Sequence, residues 1–317
     1  MRIWIVGAGA IGLLYGSRLA QSSVKVTLLT GSAAQAAALA AGGITIEEYG
    51  TGAAARAAVD AAPLAGAHAI AGPRDWIWLT VKQPHLTDDL AASLAALCSG
   101  GASLLCLQNG VGHMEKLREA IPERQLYAAI STEGALRLDE VTVRHTGLGS
   151  LTFGRWGDLA SDDVTISGQD GSQKMLLDIL EAAGIEGSMS NDMNNRIYHK
   201  LLVNAVINPL TAIYGVTNGE LPDNDSRKRL MIALHAESEA VLSAAGMSGD
   251  GDAWERLMTV CRRTASNESS MLRDVKAGRM TEIDWINGGV AAIARQYGLT
   301  TPLNDAIITI VKTLAMN

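Results

Sequence analysis

Arg2-Ile3-Trp4-Ile5-Val6-Gly7-Ala8-Gly9-Ala10-Ile11-Gly12 is an apolar run leading into three glycines spaced G-x-G-x-x-G. Ile3 to Val6 suits a strand buried on both faces. Leu13, Leu14, Tyr15, Leu19 and Ala20 then follow a helical pattern, and Val24-Lys25-Val26-Thr27-Leu28-Leu29 reads as a second strand. A strand–glycine loop–helix–strand unit of roughly 30 residues is the dinucleotide-binding fingerprint. Each glycine has a physical job. Gly7 permits the sharp turn, Gly9 lets a pyrophosphate approach the backbone, and Gly12 allows the helix to pack closely on its strand. The helix N-terminus offers free N–H groups and the positive end of its dipole. Gly7, Ala8, Gly9, Ala10, Ile11 and Gly12 are therefore the candidate cofactor-binding loop.

Working outward, the α/β alternation continues. Strands are expected over residues 44–49, 76–81, 103–107, 125–130 and 140–145, with 151–154 as a further edge. Helices are expected over 33–41, 86–97 and 175–183, the last closed by Gly184. Ligands of open α/β sheets gather at the carboxyl ends of the strands, where Lys82 and Asn109 fall. On pattern alone Lys82 is equally a solvated surface lysine, and Asn109-Gly110 an ordinary turn pair. The polar segment 188–195 marks a boundary, after which β signals fade. Helices are expected over 227–245, 254–264, 284–297 and 301–316, with Pro302 at the first turn of the last. The fold class is thus α/β: an N-terminal Rossmann-type dinucleotide-binding domain over 1–189, then an all-helical domain over 190–317.

Within the helical part, Tyr198-His199-Lys200-Leu201-Leu202-Val203-Asn204-Ala205-Val206-Ile207-Asn208-Pro209 stands out. Lys200, Asn204 and Asn208 are four residues apart and share one face of a helix that is otherwise apolar all round. Buried amides and ammonium groups need partners. Either this is a polar seam against another helix, or it is a site for a polar ligand, and a Lys with two Asn in register favours the ligand.

Composition narrows the class. The 317 residues are 48% hydrophobic but only 4% aromatic, so an aliphatic, Ala/Gly-rich core is expected. A net charge of −7 with scattered basic residues argues against nucleic-acid binding. No apolar run reaches the roughly 18–20 residues that a membrane span requires. Cys98, Cys106 and Cys261 match no metal-ligand spacing, no metal is expected, and reduced cytoplasmic thiols are the economical reading.

Several stretches together carry a family resemblance: the loop 7–12, Thr80-Val81-Lys82-Gln83, Leu107-Gln108-Asn109-Gly110-Val111-Gly112, and His199-Lys200 through Pro209-Leu210-Thr211-Ala212. Asn218-Gly219-Glu220-Leu221, Asn267-Glu268-Ser269-Ser270-Met271-Leu272-Arg273-Asp274 and Thr281-Glu282-Ile283-Asp284-Trp285-Ile286-Asn287-Gly288 complete the set. The whole chain resembles the ketopantoate reductases (2-dehydropantoate 2-reductases), NADPH-dependent enzymes of pantothenate biosynthesis. The resemblance implies that Lys200 is the general acid and that Asn204, Asn208, Asn218 and Ser270 hold substrate. It implies that Asn109 touches both cofactor and substrate, that Lys82 and Ala135 line the cofactor, and that Glu282 joins the catalytic set beside the nicotinamide ribose. On their own, Ser269 and Ser270 read as helix caps and Glu282 as a surface carboxylate. The chemistry agrees with the implied roles. Hydride arriving at a keto carbon leaves an alkoxide, which needs a proton and a positive neighbour.

One place departs from the family. Members that prefer NADP carry an Arg after the second strand, whereas here Leu29-Thr30-Gly31-Ser32 has neither an Arg nor an acidic residue for an NAD ribose. Two hydroxyls and backbone N–H groups around Gly31 are expected to form a small anion-binding concavity. NADPH is the expected cofactor, with NAD use not excluded. The expected reaction takes a small 2-oxo acid, ketopantoate, to (R)-pantoate. The alternatives are another branched 2-oxo acid, or a dinucleotide-sensing protein without catalysis. The expected protein is cytoplasmic, engages no nucleic acid or membrane, and is compatible with a homodimer.

Overall fold

The computed structural model describes residues 1–22, 24–65, 70–157, 167–249 and 251–314, with backbone alone for 167–170. The chain forms two compact units. One comprises Met1–Gln108 and His113–Met193, the other Asn109–Gly112 and Asn194–Asn317.

In the first unit, β1 (Arg2–Val6) and α1 (Ala10–Ala20) are followed by β2 (Lys25–Thr30) and α2 (Ala33–Gly42), with α3 (Asp88–Cys98), α4 (His113–Arg118) and α5 (Ser167–Ala182) later in the unit. Six strands run parallel in the order β5 (Asp60–Pro63), β2, β1, β6 (Trp76–Leu79), β7 (Ser103–Cys106) and β8 (Leu126–Ser131). The order reverses between β1 and β6, and the glycine loop follows β1 at that switch point. β11 (Leu151–Arg155) adds antiparallel to β8, and β12 (Gly187–Met189) closes that side. The stretch expected as an edge is therefore interior, with β12 outside it.

The strand expected over 44–49 forms as β3 (Ile44–Glu47) but leaves the main sheet. It joins β4 (Ala54–Ala57), β9 (Gly134–Arg137) and β10 (Thr142–Gly147) in a second, four-stranded sheet. The third parallel position goes instead to β5, whose sequence Asp-Ala-Ala-Pro carries almost no strand signal. Ile44, Ile46 and Val143 of the second sheet share a core with Leu13, Leu14 and Leu19 of α1. The core of this unit is mainly aliphatic, as expected, but it also takes in aromatic side chains. Trp76, Trp78, Tyr15, Tyr127 and Phe153 are all fully buried, and Trp76 lies 4.8 Å from Tyr127 and 6.0 Å from Phe153, centroid to centroid.

The second unit is helical: α6 (Met193–Tyr214, bridging from the first unit), α7 (Asp225–Ala244), α8 (Ala253–Arg263), α9 (Ser270–Lys276), α10 (Ile283–Gln296) and α11 (Pro302–Leu314). Its core is aliphatic, with Leu201, Leu202, Val206, Leu210, Leu234, Leu242, Leu257 and Val290 buried together. Pro302 opens α11 as expected. Residues 315 and 316 of that expected helix lie outside the described residues.

Candidate active site

The glycine loop is built as its residue types demand. Gly7 sits at φ 109°, and a Cβ there would lie 2.8 Å from Val81 Cγ1. At Gly12 a Cβ would meet the Gly7 carbonyl oxygen at 1.9 Å, so only glycine lets α1 start this close to β1. Thr80 pins the turn, its hydroxyl donating to the carbonyls of Val6 (3.1 Å) and Gly7 (2.7 Å). Gly9 is the N-cap of α1 with no side chain capping it, and the space where its Cβ would stand is open. A phosphate fits those three facts: an approachable backbone, free helix N–H groups, and no competing side chain.

Lys82 follows β6, is half-buried, and precedes a single 3-10 turn over Gln83–His85. That turn is fixed by Gln83 Nε2 and His113 Nδ1, 2.7 Å apart. Burial pulls His113 down to about 4, so its ring is neutral and Nδ1 accepts from the amide. Ala135, buried at the start of β9, lies just beyond the carboxyl end of β8. Sequence reading missed Gln108. It lies two residues past β7 at the same sheet edge and is 8% exposed, yet neither its amide nitrogen nor its oxygen has a partner among the described residues. A buried amide without partners costs on the order of 1–3 kcal/mol, so a polar ligand at this edge has a waiting contact. The one signal was its place in Leu107-Gln108-Asn109-Gly110.

The Thr30-Gly31-Ser32 expectation needs correction. Thr30 is fully buried, and its hydroxyl is spent on the Ser32 carbonyl at 2.7 Å. Ser32 is the N-cap of α2 and accepts from the Gln35 N–H. The Ser32 hydroxyl proton and backbone N–H groups of the turn and the start of α2 remain for an anion there.

In the second unit, α6 carries Lys200, Asn204 and Asn208 on one face, as the spacing predicts. Lys200 and Asn204 are half-buried and Asn208 is buried. Burial pulls the Lys200 ammonium down to about 8, and the negative charge of Glu282 works against that shift. Glu282 is 4% exposed, at the start of α10, which excludes the surface-carboxylate reading. Its Oε2 accepts from Asn109 Nδ2 at 3.4 Å. Asn109 belongs to this unit because the neighbouring Val111 N–H donates to the Trp285 carbonyl at 3.1 Å. Lys200, Glu282 and Asn109, distant in sequence, thus form one cluster.

The two-serine ambiguity at α9 is resolved. Ser269 is the cap, accepting from the Leu272 N–H at 3.0 Å and from the Thr211 hydroxyl at 2.7 Å. Ser270 begins the helix half-buried and does no capping. Ser269 Oγ also lies 3.5 Å from the Asn208 carbonyl, which ties the 269–270 turn to α6. Asn218 is held to the same segment, its N–H donating to the Asn267 carbonyl at 3.0 Å and its Nδ2 to Thr264 Oγ1 at 2.9 Å. Its buried Oδ1 has no donor among the described residues.

Comparison with known proteins agrees with this architecture along the chain. The family model described as "Ketopantoate reductase PanE/ApbA" matches residues 3–158, and "Ketopantoate reductase PanE/ApbA C terminal" matches residues 192–315. The chain belongs to the ketopantoate reductase family. Among relatives, it is 32% identical to the 2-dehydropantoate 2-reductase of Bacillus subtilis, covering 100% of this chain and 98% of that one. It is 30% identical to that of Halobacterium salinarum, covering 98% of each. Among solved structures, a probable 2-dehydropantoate 2-reductase from Bacillus subtilis aligns with a TM-score of 0.78 at 30% identity, over 99% of this chain and 100% of that one. A D-mandelate dehydrogenase, solved with NADH and anilino(oxo)acetate, aligns with a TM-score of 0.87 at 25% identity, over 99% and 98%. Membership in this family makes the chain an oxidoreductase. Among the described residues, no helix is long and apolar enough to cross a membrane and no cluster of potential metal ligands occurs.

Proposed function

We infer that the protein reduces 2-dehydropantoate to (R)-pantoate with NADPH, in the cytoplasm, as a step of pantothenate and coenzyme A synthesis. The observation that carries the reading is the Lys200–Glu282–Asn109 cluster on a chain of this family. When bound, the reduced nicotinamide supplies a hydride to the keto carbon. Residues 1–189 hold the dinucleotide: the loop 7–12 takes the pyrophosphate, and Lys82 and Ala135 line the remainder. Residues 190–317 hold the substrate and finish the reaction.

As the carbonyl π electrons move onto oxygen, the Lys200 ammonium faces the developing alkoxide and gives it a proton, becoming a neutral amine that solvent reprotonates. A pKa near 8 suits this task, since the group is charged at neutral pH yet releases its proton easily. Glu282 keeps Lys200 from losing its charge entirely to burial and, with Asn109, stands beside the nicotinamide ribose. Asn204, Asn208 and Asn218 supply amides to the substrate's oxygens, and Ser270 offers its hydroxyl and N–H to the carboxylate. The similarity to a D-mandelate dehydrogenase favours a second reading, in which the substrate is another 2-oxo acid with a different side chain.

The test is oxidation of NADPH and of NADH with a panel of 2-oxo acids. Ketopantoate should give the highest kcat/KM. A different preferred acid supports the second reading, and no turnover with any acid returns the chain to a dinucleotide sensor.

A further inference from the structure

Pro209 lies inside α6, immediately after Asn208. A proline has no N–H, so the helical bond from position 209 to the carbonyl of Ala205 cannot form. That carbonyl is buried, and it receives a side chain instead. Asn287 Nδ2, on α10, donates to the Ala205 oxygen at 2.9 Å. Ala205 and Asn287 are both fully buried.

The direction of this bond is fixed from a distance. The Glu237 carboxylate on α7 can only accept, and it takes Asn304 Nδ2 at 2.8 Å, together with the backbone N–H groups of Leu303 and Asn304 at the start of α11. Asn304 must then turn its Oδ1 the other way, where it accepts from Asn287 Nδ2 at 2.9 Å. Asn287 is obliged to present its NH2, whose two protons go to Asn304 and Ala205. Its own Oδ1 is left buried without a partner among the described residues. The opposite amide orientation would set the single Asn287 oxygen against two others, those of Asn304 and Ala205. The chain therefore tolerates one orphaned acceptor in order to deliver a donor at Ala205.

We propose that Asn287, oriented through Asn304 by Glu237, is a positioning residue for the polar face of α6. It closes the gap that Pro209 opens between Asn204 and Asn208, and so sets the angle at which Lys200, Asn204 and Asn208 face the substrate. The catalytic part of this rests on the function proposed above; the hydrogen-bond exchange does not.

A double-mutant cycle tests it, because Pro209→Ala returns an N–H to position 209 and makes the donor from Asn287 redundant. Asn287→Ala alone should lower the denaturation midpoint and reduce kcat/KM for the 2-oxo acid by about tenfold or more. The Kd for the dinucleotide, measured by fluorescence, should stay within about twofold, since the loop 7–12 assigned to its pyrophosphate lies in the other unit. In the Pro209→Ala background the same replacement should lose less than half as much on both readouts. The midpoint arm uses no substrate, so it stands even if the chain reduces a different acid. Equal losses in both backgrounds overturn the exchange. A lowered midpoint with kcat/KM intact overturns the positioning role. Should Asn287→Ala fail to fold, Glu237→Gln replaces it, since a neutral amide no longer dictates the orientation of Asn304. A loss in kcat/KM that Pro209→Ala does not relieve then overturns the proposal.

Discussion

Asn109 Nδ2 donates to Glu282 Oε2 across 3.4 Å, joining the loop after β7 to the first turn of α10. Glu282 in turn is the charge that opposes the desolvation of Lys200. The carboxylate therefore links a loop that continues a parallel strand to the lysine of a helix about ninety residues later in the chain. A long bond of this kind tightens or yields when a ligand competes for either amide or carboxylate.

Lys200→Ala should fold and bind dinucleotide with little change while kcat falls by about 10²–10⁴-fold, the usual range for a lost general acid. Circular dichroism and dinucleotide titration report the first part, steady-state kinetics the second. Near-normal turnover of ketopantoate would remove Lys200 from the reaction.

The pH profile follows from the same group. Reduction requires the charged form of Lys200, whose pKa is pulled down to about 8. kcat/KM for reduction should therefore be flat near neutrality and fall as pH rises through about 8. Glu282→Gln removes a charge that raises this pKa, so the falling limb should move to lower pH. A limb that stays in place in the variant would separate Glu282 from Lys200.

Stability should carry the opposite sign. Between about 8 in the folded chain and the ordinary value of 10.5, the unfolded state binds the Lys200 proton and the folded state does not. Stability from this group therefore rises with pH across that window. Urea midpoints of wild type and Lys200→Met should converge as pH climbs through it. Midpoints running parallel over the window would show that the lysine is not desolvated.

Asn204 and Asn208 are assigned to the hydroxyl end of the substrate, where an amide can donate and accept at once. Asn204→Ala or Asn208→Ala should cost more kcat/KM with ketopantoate than with the analogue lacking its hydroxyl. A site built for a hydroxyl discriminates through the groups it leaves unpaired. Equal losses on the two substrates would reassign both residues.

The glycine loop, the parallel strands and the Lys200 face were legible because each rests on a local pattern: glycines at fixed offsets, short continuous apolar runs, or a four-residue spacing. What sequence did not reveal was set by distant partners. β5 forms from Asp-Ala-Ala-Pro because β2 offers it an open edge, and the 44–47 strand goes to another sheet because β4 and β10 pair with it. The choice between Ser269 and Ser270 as cap depended on Thr211, fifty-eight positions away in sequence. The duty of Asn287 is invisible until Pro209 and Ala205 are placed opposite it. The sparse aromatics suggested an aliphatic core throughout, yet a composition average cannot say that Trp76, Trp78, Tyr127 and Phe153 gather on one sheet.

The last prediction concerns dinucleotide preference. A 2′-phosphate wants a cation or several donors, and an NAD ribose wants a carboxylate. At the end of β2 the chain offers neither charge, and with the Thr30 hydroxyl committed to the Ser32 carbonyl it offers fewer donors than its sequence suggested. Ser32 and the first N–H groups of α2 still favour an anion, and no acidic side chain of the Thr30-Gly31-Ser32 turn repels one. NADPH should therefore bind more tightly than NADH, but by a smaller ratio than a bidentate Arg would give. A Cβ at Gly31 would meet nothing within 4 Å, so a longer side chain can leave the turn without strain. Gly31→Arg should increase the NADPH-to-NADH ratio by about tenfold or more, both in Kd by fluorescence titration and in kcat/KM. A wild type that strongly prefers NADH, or a variant whose ratio does not move, overturns the assignment of this turn to the 2′-phosphate.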